Sequence, residues 1–192
     1  MAKKSKNQNI KKEKRSGVNN KINTGTSANK QKPEEDMVLS NNTDDQFERI
    51  YGILNLEIKE NDEDHEDDKA VVNEENLEKF LTYLKNKITL PVIVTGIEDM
   101  GCFGWEEFYN FGPGSKTEYE NLKKKYPSFR DKYELIGFIE EFDVDEGLSV
   151  DVLRVSDKKK FALPLADLKT VEKKSKNAIL LDDYAVWYTN FR

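Results

Sequence analysis

The sequence predicts an α+β fold: a small SH3-like antiparallel barrel with flanking N- and C-terminal helices, preceded by a disordered basic tail. Three observations predict it. Leu77–Ile88 and Ile179–Phe191 repeat apolar residues at the three-and-four spacing of a helix face. Between them lie about five short runs rich in β-branched and aromatic residues, separated by polar or glycine-bearing turns. Ahead of both, residues 1–33 hold ten Lys and Arg against Glu13 alone, a net +9, which leaves −15 on residues 34–192 of a chain totalling −6.

Residues 1–40 form the tail. Met1–Asp36 is rich in Lys, Asn, Ser and Gly, with only Ile10, Val18, Ile22 and a few alanines as apolar content. So little burial cannot offset chain entropy, and the segment is expected to be disordered. Its lysines offer phosphate contacts to nucleic acid, but no aromatic residue interleaves with them to stack bases, and a solubilising extension is the simpler reading. An amphipathic helix over 43–58 follows, with Phe47, Ile50, Tyr51, Leu54 and Ile58 on one face and Asn42–Asp45 able to cap its start. That face suits docking on the main domain and docking on a protein partner equally. Residues 59–72 are an acidic linker whose run Glu60–Asp68 lacks the glycine and terminal glutamate of an EF-hand loop.

The folded domain is expected over 73–192. Asn73 is an N-cap with Glu74 and Glu75 in the first turn, Leu77, Phe80, Leu81, Leu84 and Ile88 form the buried stripe, and Pro91 prevents continuation. Pro91–Thr95 reads as a strand. Residues 100–131 read as an insertion that carries Trp105, Phe108, Tyr109 and Phe111 among glycines. Its Thr117-Glu-Tyr-Glu120 matches a capping box and predicts a helix over Glu118–Lys125. Its aromatics serve either to line a groove or, more commonly, to pin a long excursion. Strands follow at Tyr133–Phe142, Leu148–Val155 and Phe161–Leu165, the last two joined by the polar turn Ser156–Lys160. A tight helical turn at Pro164–Leu168, a short strand at Lys169–Glu172 and an aromatic-faced helix over Ser175–Phe191 complete the domain.

Several function classes are excluded or disfavoured. No apolar run approaches the ~20 residues that span a bilayer, and no secretory leader pattern follows the basic start, so a cytoplasmic protein without membrane contact is expected. Cys102 alone can form neither an intrachain disulfide nor a multi-cysteine zinc site. No enzyme signature is present: Cys102 has no evident base, and the sole histidine, His65, lies in the acidic linker with no nucleophile near it in sequence. The runs Lys123–Lys125 and Lys158–Lys160 lack the glycine-rich turn of a phosphate cradle.

One stretch invites a chemical reading. Between the apolar runs ending at Ile139 and beginning at Leu148 stand Glu140, Glu141, Asp143, Asp145 and Glu146. They keep a hairpin tip wet and discourage edge association, or they converge on calcium, which takes six to eight hard oxygens in loose geometry. On a continuing strand Asp143 and Asp145 share a side, Glu140 and Glu141 do not, and Gly147 frees the backbone to turn. Completing a calcium shell then requires neighbouring loops: Glu98 and Asp99 after the first strand, and Asp157 in the next hairpin. Such a site lacks a rigid cage and predicts micromolar or weaker affinity, with magnesium a poor substitute. The opposing reading is a metal-free interaction module built from the barrel, the helix 43–58 and the basic tail.

The order of parts resembles a known family. Leu77-Glu-Lys-Phe-Leu-Thr-Tyr-Leu84 with Ile88-Thr-Leu-Pro-Val-Ile-Val94, then Leu135-Ile-Gly-Phe138, then Phe161-Ala-Leu-Pro-Leu165 with Asp167-Leu168, and finally Leu181-Asp-Asp-Tyr-Ala-Val-Trp-Tyr188 are similar to the pieces of the CcbP-like calcium-binding family. The resemblance covers about residues 75–191. It implies a non-catalytic calcium-binding domain with a buffering or signalling role. The insertion 100–131 and the first 70 residues have no counterpart in it.

Overall fold

Two capped helices set the frame of the domain in the computed structural model, which describes residues 43–56, 69–98 and 101–192. The basic tail, residues 57–68 with His65, and Asp99 lie outside the described residues. Helix α1 spans Thr43–Leu54 and α2 spans Glu74–Lys87, started by the Asn73 side chain accepting the Asn76 N–H at 2.9 Å. The last helix, α5, spans Lys176–Asn190 and is capped in the same way by Ser175. (Between them the insertion supplies α3, Glu107–Asn110, and α4, Lys116–Lys123.) Leu77, Phe80 and Leu84 of α2 are fully buried, and Phe80 stacks on Trp187 of α5 with ring centres 4.3 Å apart.

The helix expected over 43–58 ends at Leu54, because Asn55 turns into the left-handed region at φ 58° and Leu56 closes the end on Tyr51. It is docked on its own domain. Ile50 and Leu54 are fully buried, Phe47 and Tyr51 stand edge-on to Phe191, and Arg49 forms a two-pronged bond with buried Asp183 of α5. The face that sequence reasoning offered to a protein partner is thus occupied. The domain also begins before Asn73. The end of the expected linker is built in: Trp187 Nε1 donates to the Ala70 carbonyl, the Val72 N–H donates to Phe191, and the Asn76 amide donates to Lys69 and Val71.

Five antiparallel strands form one sheet: β1 (Val92–Gly96), β2 (Lys132–Phe138), β3 (Ser149–Arg154), β4 (Lys160–Pro164) and β5 (Leu168–Thr170), in the order β4-β3-β2-β1-β5. A bulge at Ile136 shifts the β2–β3 register between Leu135 and Gly137. The expected barrel is not closed, since β4 and β5 are the two edges and no ladder joins them. The sheet is nonetheless strongly curled. Five flat strands would set those edges ~19 Å apart at ~4.8 Å per spacing, yet only the 3₁₀ turn Leu165–Asp167 connects β4 to β5. That turn is tied at one end to Leu148, through the Leu165 N–H at 2.7 Å, and at the other to Ile97, whose N–H reaches the Asp167 carbonyl at 2.8 Å.

The insertion holds a 3₁₀ turn (Gly101–Glu106), α3 (Glu107–Asn110) and α4 (Lys116–Lys123). The capping box predicted at Thr117 does not start α4. Ser115 takes the N-cap position, without a side-chain bond, and Thr117 sits inside the helix. Buried Glu106 pins the excursion by accepting from the Tyr119 hydroxyl (2.5 Å), the Ser128 hydroxyl (2.9 Å) and the Phe129 N–H (2.7 Å). Burial and that bond push the Tyr119 hydroxyl up to about 12. Gly96 is needed where the excursion returns, as any Cβ there would strike Phe103 and the Phe129 backbone.

Candidate metal centre

The acidic turn between β2 and β3 keeps strand-like alternation. Phe142 and Val144 pack on the core, whereas Asp143, Asp145 and Glu146 are exposed. Asp143 closes the turn twice: its Oδ1 accepts the Asp145 N–H at 2.7 Å and its carbonyl accepts the Gly147 N–H at 2.7 Å. Gly147 has φ +69° and lies against Tyr184 and Tyr188, where a Cβ would come within 2.7 Å of both.

Helix α5 holds this turn. The Tyr184 hydroxyl accepts the Leu148 N–H at 2.7 Å. The Tyr188 hydroxyl donates at 2.7 Å to the Asp145 carbonyl and lies 3.2 Å from that of Val144, and Arg192 donates to the Asp145 carbonyl at 2.8 Å. The two tyrosine rings stack 5.8 Å apart. Burial raises the Tyr184 and Tyr188 hydroxyls above the ordinary tyrosine value. Arg192 opposes the rise at Tyr188, and the charges of Asp145, Asp143 and Asp167 add to it. Sequence reasoning placed both tyrosines on the core face of α5 and missed their second task, although a buried tyrosine hydroxyl always needs a partner.

Asp167 is the other residue that sequence reasoning overlooked. It is buried in the 3₁₀ turn, and its Oδ2 accepts the Cys102 N–H at 2.9 Å. The same turn ties the exit of β1 to Leu148, the residue that leaves the acidic turn. Glu98, exposed just beyond β1, therefore leaves the sheet one short 3₁₀ turn from that rim. Cys102 has its thiol pushed well above the ordinary cysteine value by burial and by Asp167, so it offers no thiolate to a soft metal.

Two predicted ligands are engaged elsewhere. Asp157 sits beyond the far end of β3 and takes a two-pronged bond from Arg154, Nε at 3.0 Å and Nη2 at 2.7 Å. That bond holds its carboxyl down at about 2. Glu140 pairs with Lys85 at 2.6 Å, and the bond lowers its carboxyl below the usual range. Glu141, Asp143, Asp145 and Glu146 form no ion pair among the described residues. Among the described residues, no three of His, Cys, Asp and Glu are already assembled as a metal cage.

No protein-family model matches the chain, and no curated protein matches it. The chain is similar to two solved structures. One is a calcium-binding protein in its calcium-binding form, with TM-score 0.44 and 14% identity over 75% of this chain and 89% of that one. The other is Anabaena CcbP, with TM-score 0.39 and 13% identity over 69% and 92%. Likeness at this level assigns no residue.

Proposed function

We propose that the domain binds calcium, without catalysis, at the rim formed by the acidic turn and the exit of β1. The observation that carries this reading is the run of exposed carboxylates Glu141, Asp143, Asp145 and Glu146, which form no ion pair among the described residues, on a turn whose backbone α5 already fixes through Tyr184, Tyr188 and Arg192. Carboxylates so placed repel one another, and a divalent cation between them relieves the repulsion. The proposed donors are Asp143, Asp145 and Glu141 from the turn and Glu98 from the β1 exit, with Asp99, outside the described residues, next to Glu98 in sequence. All are hard oxygens, which fits calcium and not zinc. The Asp145 carbonyl already serves Tyr188 and Arg192, so side chains must supply most of the shell. Because the donors are not pre-assembled, affinity falls in the micromolar range or weaker, suited to buffering or sensing. Among the described residues no helix is long and apolar enough to cross a membrane, and with Cys102 as the lone thiol a cytoplasmic setting fits the reading.

Thermal unfolding of the full chain in calcium, magnesium and chelator tests this. With a dissociation constant near 10 μM, 1 mM calcium stabilises the folded state by about 2.7 kcal/mol, which raises the melting temperature by roughly 5–10 °C for a domain of this size. Magnesium should give a small fraction of that shift. An unchanged melting temperature in calcium, or an unchanged shift in the double variant Asp143→Asn, Asp145→Asn, refutes the site.

A further inference from the structure

Away from the rim, the fold brings together two lysine runs that the sequence separates. Arg154, buried at the end of β3, donates to the carbonyls of Lys123 (2.6 Å), Lys124 (3.2 Å) and Tyr126 (3.1 Å), and so fixes the chain where α4 ends. The β3–β4 turn then lies against that chain, with Lys159 Nζ 2.8 Å from the Lys125 carbonyl. Lys124, Lys125, Lys158 and Lys159 are all exposed on this face, although the chain beyond residue 33 carries a net −15. Four acidic residues temper it: Glu134 lies 3.5 Å from Lys158, Asp151 pairs with Lys160 at 2.8 Å, and Asp131 and Asp157 pair with Arg154.

Aromatic rings border the same face. Trp105, Phe108, Tyr109, Leu122 and Tyr126 line a cleft of about 400 Å³, and Leu122 and Tyr126 flank the first lysine run. Trp105 is held by its indole N–H on the Pro127 carbonyl at 3.0 Å. Phe108 and Tyr126 are each 53% exposed and Phe111 is 72% exposed, far more than rings that only pin an insertion require. Tyr119, beneath them, is the buried anchor.

We infer that this face binds single-stranded nucleic acid. Each nucleotide delivers one negative charge and one stackable ring. That is the mixture presented by Lys124, Lys125 and Tyr126, with Phe108 beside them. An unmodified acidic peptide supplies either a negative charge or a ring at each residue, not both. Lysine ammonium groups act as point charges toward phosphates, and ring faces accept any base, so binding is sequence-tolerant and salt-sensitive.

The test is fluorescence anisotropy of a labelled 15-nucleotide oligo(U) with the full chain. Lys124→Gln, Lys125→Gln and Lys158→Gln together should weaken binding at least tenfold and flatten the slope of log affinity against log salt by about 2, at ~0.7 per phosphate contact. Phe108→Leu with Tyr126→Leu keeps apolar bulk but removes the rings. It should also weaken binding at least tenfold, with the salt slope unchanged. The substituted residues are exposed, and each variant should melt at the parent temperature. If both variants bind as the parent does, the basic residues 1–33 do the binding and the inference falls. It falls equally if polyglutamate displaces the oligonucleotide at matched charge, or if vesicles containing phosphatidylserine bind while the oligonucleotide does not.

Discussion

Replacing Arg154 with Met removes the guanidinium and keeps most of the volume of its stem. Six hydrogen bonds disappear: two to Asp157, one to Asp131 and three to the carbonyls where α4 ends. The carboxylates lose little, since Asp157 is 45% and Asp131 20% exposed and water takes the guanidinium's place. The carbonyls lose more. Each hydrogen bond from a charged donor contributes ~1.5 kcal/mol, and the end of α4 loses a cation that complements its dipole, ~0.5 kcal/mol. Contact with the Phe161 ring at 5.1 Å adds ~0.5 kcal/mol. Against these losses, the variant no longer buries a charge that is almost wholly out of water. The balance is a destabilisation of about 3 kcal/mol, or roughly 6–12 °C in melting temperature.

Urea unfolding followed by circular dichroism gives the total, and the two tryptophans separate its parts. Trp105 reports the insertion, and Trp187, stacked on Phe80, reports the core. With Trp187→Phe as background, Trp105 fluorescence should shift at lower urea in the Arg154→Met variant than the circular dichroism signal does. A melting temperature within 1–2 °C of the parent would show that the six bonds are replaced by water without loss, and the account of how α4 is held would fail.

Acid unfolding should bear the mark of Asp157. Its carboxyl is held at about 2 against an ordinary ~3.9, so the stability it contributes is present above pH 4 and lost as pH falls through 2. Asp157→Asn should flatten the stability profile between pH 4 and 2, and an unaltered profile would contradict the pairing. Leu54→Ala should cost about 2–4 kcal/mol by calorimetry, because Leu54 is fully buried under α2 and α5; a loss under 1 kcal/mol would mean that α1 is not docked. Tyr188→Phe should cost ~1 kcal/mol and speed hydrogen exchange at the Gly147 amide, whose turn the hydroxyl braces; unchanged exchange would remove the role of α5 in fixing the acidic turn.

The helices α2 and α5 were legible because cap and stripe agree: Asn73 and Ser175 each stand just before an apolar repeat. The start of α4 was not, since Ser115 and Thr117 compete as caps within three residues and spacing alone cannot choose between them. The docking of α1 rests on Arg49 meeting Asp183, 134 residues later, a pairing with no local signal. Asp157 was different. Arg154 stands three residues before it across a polar turn, and an ion pair at that spacing was available to weigh against a metal role. Five strands were expected and five are present among the described residues, but the closure of the sheet depends on whether edges pair, and periodicity along one strand carries no information about that. The acidic turn was visible as composition; its fixation by Tyr184, Tyr188 and Arg192 was not, because those residues follow 36 or more positions later.

The two charged ends of β3 define how the proposed activities relate. Its first residue follows the acidic turn and its last precedes the lysine turn, with six residues between Ser149 and Arg154 inclusive. At ~3.4 Å per residue the ends stand about 17 Å apart, roughly two screening lengths at physiological salt, each ~8 Å. Neither field then neutralises the other, and a calcium ion at one end should leave the other unaffected. Oligonucleotide affinity in 1 mM calcium should stay within twofold of that in 1 mM magnesium, a control that matches competition for phosphates, even though calcium raises the melting temperature far more than magnesium does. A tenfold difference between the two ions would show that β3 or the curled sheet transmits the binding event, and screening would no longer suffice to keep the ends apart.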